Sequence, residues 1–191
     1  MRFHWVRHGP THATGMVGWS DLPADLSDTA LLARLSAHLP ADALVISSDL
    51  SRAAATADAI CGARDRLPHD PDLREMAFGD WELKTSAQIM ETHPDLSRAF
   101  WTDPGTTCPP GGESWDDLTA RTSAAVARLM AAHPGRDVIA VAHIGVILAQ
   151  VGAATGRPGK DVIGQKIDNL SVTELAWDGR AWSLGAINHL P

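Results

Sequence analysis

Two hydrophobic rhythms alternate along this chain. Short uninterrupted apolar runs predict buried strands at Phe3 to Val6, Ala43 to Ser47 and Val138 to Ala142. Between them, apolar residues recur at helical spacing. Leucines at 31, 32, 35 and 39 predict a helix over Leu26 to Leu39, with Ser27 or Asp28 as its cap and Pro40 as its stop. An alanine-rich helix follows over Asp49 to Cys61, closed by Gly62. A long one spans Ser114 to His133, with Leu118, Thr122, Val126 and Leu129 on one side, and another covers Gly145 to Ala154. Alternating strands over Ser171 to Leu175 and Trp182 to Ile187 flank an Asp178-Gly179 turn. Ala13 to Asp25 reads as irregular, Leu67 to Trp81 as strand-like and turn-like pieces, and Thr85 to His93 as weakly helical. Residues 94–112, rich in proline, read as an irregular cover over the active site.

Strands alternating with amphipathic helices predict an α/β fold, a three-layer α/β/α sandwich with a mostly parallel central sheet. The 191 residues fit one domain, 1–191. Twenty-three acidic against 16 basic residues give a net charge of −7, which argues against a general nucleic-acid partner. Two cysteines make no disulfide framework, and no run is long enough for a membrane span or a leader, so a cytoplasmic protein is expected. The sheet edges allow a homodimer.

Ligands of open α/β sheets bind beyond the carboxyl ends of the strands. The first strand ends at Arg7-His8, the second leads through Ser47-Ser48 to Arg52, and the third ends at His143, while Glu75 lies in the loop region after Leu73. Two arginines and two histidines at one sheet edge suit an oxyanion. The guanidinium fork matches phosphate, and a neutral histidine beside it can act as nucleophile. Positive neighbours are expected to depress that histidine. Glu75 supplies a proton for a leaving alcohol and then a base for water, with Asp80 and Glu82 as nearby rivals. The remaining histidines form no metal-ligand set, and no cofactor is implied.

These residues lie in blocks that resemble the histidine phosphatase, or phosphoglycerate-mutase-like, superfamily. The blocks are Val6-Arg7-His8-Gly9-Pro10-Thr11, Ser47-Ser48-Asp49-Leu50-Ser51-Arg52-Ala53, Leu73-Arg74-Glu75 with Phe78-Gly79-Asp80-Trp81-Glu82, Pro110-Gly111-Gly112-Glu113-Ser114, and Val141-Ala142-His143-Ile144-Gly145-Val146. They follow the family's order across most of the chain. The resemblance implies His8 as phosphate acceptor, Arg7 and Arg52 as phosphate ligands, His143 as second histidine and Glu75 as proton donor. Within the family the chain is most similar to α-ribazole phosphatases, which implies hydrolysis of a small-molecule phosphate monoester, α-ribazole 5′-phosphate. A broad-specificity phosphatase, a phosphoglycerate mutase and a non-catalytic binding module are the alternatives.

Three departures stand out. Thr14 replaces an Asn that touches phosphate in many relatives, Ile144 replaces a glycine, and Leu148 falls where an Arg is common. Thr14 is retained as a phosphate ligand through its hydroxyl. Trp19, Trp81 and Trp115, in or beside the irregular stretches, are expected at a substrate pocket that stacks an aromatic group. Trp5, Trp177 and Trp182 read more simply as sheet residues.

Overall fold

The computed structural model describes residues 1–191. A five-stranded sheet runs through its centre in the order β2-β3-β1-β4-β5. The strands are β1 (Arg2–Arg7), β2 (Leu44–Ser47), β3 (Val138–Ala142), β4 (Val172–Trp177) and β5 (Trp182–Leu184). β1 and β2 both pair in parallel with β3, whereas β4 is antiparallel to β1 and to β5. Four strands therefore point one way and β4 alone the other, so the sheet is mostly parallel by direction.

Alternation within the buried strands divides the core in two. Phe3, Trp5, Val138 and Ala140 pack on the side of α5 (Trp115–Ala132) and α6 (Ile144–Thr155). Val6, Val45, Ile139 and Val141 face α1 (Thr29–His38) and α2 (Ser51–Cys61). Both sheet faces are thus covered, which accounts for strands that read as continuous apolar runs. Asp28 is the cap of α1 and accepts from the Leu31 N–H at 2.9 Å. Ser114 and Asp117 form a capping box on α5.

Two expectations are corrected. Residues 94–112 are not wholly irregular, because α4 spans Pro94–Thr102 after the short α3 (Ser86–Thr92). Pro94 occupies the first turn, where a missing N–H costs nothing, so the proline starts this helix rather than breaking it. Leu67 to Trp81 contains no strand. It holds 3₁₀ turns at Pro71–Leu73 and Gly79–Trp81, and its backbone is satisfied by bonds to other backbone groups together with the Arg121 guanidinium, which donates to the Arg74 and Glu75 carbonyls. The short α7 (Gly159–Val162), after Pro158, was not foreseen. No helix is long and apolar enough to cross a membrane.

Candidate active site

Because β1, β2 and β3 are parallel, their carboxyl ends deliver Arg7-His8, Ser47-Ser48 and His143 to one edge of the sheet. The rings of His8 and His143 lie 5.0 Å apart, centroid to centroid. Nδ1 of His8 is 2.6 Å from the Gly9 carbonyl oxygen. A carbonyl only accepts, so Nδ1 carries the proton and Nε2 the lone pair. Burial, more than Arg52 and Arg7, lowers the His8 pKa to about 3, so the ring is neutral at ordinary pH. Desolvation is thus the leading cause, and the positive neighbours expected to depress this ring act in the same direction but more weakly.

His143 is fully buried and occupies the N-cap position of α6 without a side-chain capping bond. Its Nδ1 accepts from Arg52 Nε at 3.3 Å, which leaves the proton on Nε2. That nitrogen is buried and has no hydrogen-bond partner in the protein. An unpaired N–H there is costly unless a ligand accepts from it. Desolvation, then His8 and the arginines, holds this ring well below the usual histidine range.

Arg52, also fully buried, donates through Nη1 to Ser20 O (2.9 Å) and through Nη2 to Gly18 O (2.6 Å). With the bond to His143, three of its five N–H groups are engaged and two remain. Arg7 donates to Ile167 O at 2.6 Å, and its Nε is buried without a partner. Neither arginine pairs with a carboxylate within 4.0 Å. Two desolvated guanidiniums beside an unpaired N–H make a site short of negative charge, which an oxyanion would complete.

Glu75 accepts from Met76 N (2.9 Å) and Gly145 N (3.1 Å). Its burial raises the carboxyl pKa, outweighing those two donors and the arginines. A Cβ on residue 145 would lie 2.3 Å from Glu75 Oε1, so this approach requires glycine. Glu75 is therefore held at the first turn of the helix whose N-cap is His143.

Several supporting residues escaped the sequence argument. Glu82, weighed there as a rival acid, accepts the N–H groups of Gly18, Trp19, Ser20 and Phe78 and the Ser20 hydroxyl. It thereby shapes the loop whose carbonyls hold Arg52. Those donors keep its carboxyl below the ordinary value, although burial pulls the other way. Arg121 pairs with Glu113 at 2.7 Å and donates to the carbonyls of Asp72, Arg74 and Glu75. Asn169 donates to His8 O at 2.7 Å. Glu82 and Glu113 stand in recognisable blocks, but nothing in the sequence around Arg121 or Asn169 signals a role.

The remaining expectations divide. Thr14 is exposed and makes no hydrogen bond to the cluster. Trp81 is not a pocket wall. It is fully buried and packs edge-on against Phe100 at 5.5 Å, because the 3₁₀ turn at Gly79–Trp81 points it into the core. Trp19 sits at the rim, 45% exposed, with its Nε1 donating to Glu75 O at 2.8 Å and Arg74 5.0 Å over its ring. Trp115 lines a pocket that begins at Glu75.

The sequence profile of the Histidine phosphatase superfamily (branch 1) matches residues 3–190. The adenosylcobalamin/alpha-ribazole phosphatase of Salmonella typhimurium is 32% identical over 154 residues, covering 77% of this chain and 76% of that protein. A glucosyl-3-phosphoglycerate phosphatase of Mycobacterium tuberculosis is 36% identical over 175 residues, covering 82% and 76%. The structure of Bacillus stearothermophilus YhfR superposes with a TM-score of 0.90 at 28% identity, over 100% of this chain and 98% of that one.

Proposed function

This chain belongs to branch 1 of the histidine phosphatase superfamily and is a phosphatase, and from that premise we propose that it hydrolyses phosphate monoesters through phospho-His8, without a metal ion. The observation that carries the mechanism is the pair of assigned tautomers. His8 presents a lone pair at Nε2, and His143 presents an unpartnered N–H at its own Nε2.

Arg7, Arg52 and His143 Nε2–H hold the phosphoryl oxygens. The His8 Nε2 lone pair attacks phosphorus as the ester P–O bond breaks. Glu75, protonated because it is buried, gives its proton to the departing alcohol oxygen. Water then attacks the phosphohistidine, Glu75 takes back a proton, and the P–N bond breaks to regenerate neutral His8. Charge on the transferring group is met throughout by donors already in place.

The substrate we propose is α-ribazole 5′-phosphate, acted on in the cytoplasm. It is supported by the motif blocks and by a relative named for that activity. The relatives named for glucosyl-3-phosphoglycerate supply the second reading. The test is kcat/KM for both compounds beside sugar, nucleotide and glycerate phosphates, with His8→Ala as the blank. A preference of about 100-fold for α-ribazole 5′-phosphate supports the first reading. Equal turnover across the panel, abolished in His8→Ala, leaves the phosphohistidine mechanism and removes the substrate.

A further inference from the structure

Glu75 and Gly145 have a second neighbourhood. Beside them opens a small, mostly apolar pocket of about 120 Å³. Its walls include Met76, Phe78, Phe100, Trp115, Ile144 and Leu148, with Trp101 of α4 and Ile163 near α7 completing it. Glu75 is its sole ionisable lining group. Both guanidiniums of the phosphate site lie outside this lining.

The placement follows from α6. One helix start presents the His143 ring to the phosphate end and the Gly145 N–H to Glu75, while Ile144 and Leu148, one turn apart, present their side chains to the pocket. A group bonded to the ester oxygen that Glu75 protonates therefore has this pocket as its nearest enclosure.

Resting on the phosphatase reading above, we propose that this pocket receives the alcohol half of the substrate directly and selects an uncharged aryl or arylalkyl group. A carboxylate there would be desolvated with no cation to pair it. An aromatic ring gains by leaving water and meets Phe78, Phe100 and Trp115 in return. The preference extends past any one metabolite to simple phosphates of apolar alcohols. An apolar occupant also keeps water from Glu75 and so preserves its proton for the leaving oxygen.

Four phosphates of primary alcohols test this, because their leaving groups are chemically alike: ethyl, benzyl, 2-naphthylmethyl and 2-carboxyethyl phosphate. With the wild-type enzyme, kcat/KM is expected to rise about 100-fold from ethyl to 2-naphthylmethyl. 2-Carboxyethyl phosphate should not exceed ethyl phosphate. Leu148→Asn, similar in volume but polar, should cut the naphthylmethyl-to-ethyl ratio by about 10-fold. Acid-labile phosphate on His8 is followed in the same reactions. Phospho-His8 with a flat series overturns the pocket assignment alone, as does a steep series whose ratio Leu148→Asn leaves unchanged. No phospho-His8 with any of the four overturns the mechanism beneath it. A flat wild-type series overturns the assignment even if the variant fails to fold.

Discussion

Arg52 Nε donates to His143 Nδ1 at 3.3 Å, and this one contact decides which nitrogen of His143 faces the phosphate site. The same guanidinium is anchored by Ser20 O and Gly18 O, so its plane is set by three acceptors in different directions. A lysine offers the charge at a single nitrogen and cannot meet all three. Arg52→Lys is therefore expected to lower kcat/KM by about 100-fold or more. A loss under about threefold, with phospho-His8 forming at the wild-type rate, would show that charge alone suffices.

Burial raises the Glu75 carboxyl pKa, so the phosphorylation step should weaken as pH rises through that raised value. Glu75→Gln removes that alkaline limb. On an alkyl phosphate the variant should lose about 100-fold in kcat/KM, because the alkoxide then leaves without a proton. On p-nitrophenyl phosphate, whose leaving group needs none, the loss in the burst of nitrophenol should be far smaller. Equal losses on both substrates would remove the acid role.

Glu82 meets five donors with two carboxylate oxygens. Glu82→Gln leaves one acceptor oxygen and turns the other into a donor, so several of those groups lose their partner. The expected cost is about 1–3 kcal/mol in urea unfolding, with about a 10-fold fall in kcat. As a positioning residue acting through Arg52, Glu82 should show no further loss of kcat in the double variant with Arg52→Lys. Trp19 emission should also shift, since its backbone N–H is one of the five donors. Fully additive losses with unchanged emission would sever Glu82 from Arg52.

His8 carries a stability consequence as well. Its pKa falls from 6.5 in the unfolded chain to about 3 in the fold. The unfolded state therefore binds the extra proton between those values, and stability present above pH 6.5 is lost as pH falls toward 3. At pH 5 this one group costs on the order of 2 kcal/mol relative to pH 7. His8→Asn, compared by urea unfolding at pH 7 and pH 5, should lose that much less than wild type. Identical losses in both proteins would mean that His8 is protonated in the folded state at pH 5.

By itself the sequence determined the layers, the three parallel strands and the chemistry at their ends. Apolar period and strand length are local properties, and Arg7, His8, Arg52 and His143 lie within a few residues of elements that these define. Glu75 was legible only through its motif block, since no strand carries it. Tertiary structure decided the rest, because side-chain pairing across distant segments leaves no local trace. Glu82 reaches back 62 residues to Ser20, and Arg121 reaches 46 residues to the Glu75 carbonyl. Packing also sorted the tryptophans, which look alike in sequence. Trp81 went to the core, Trp19 to the rim under Arg74, and Trp115 to the wall beside Glu75. α4 belongs with these decisions. Pro94 signals a break wherever the chain needs its N–H, and only the fold placed it in a first turn that does not.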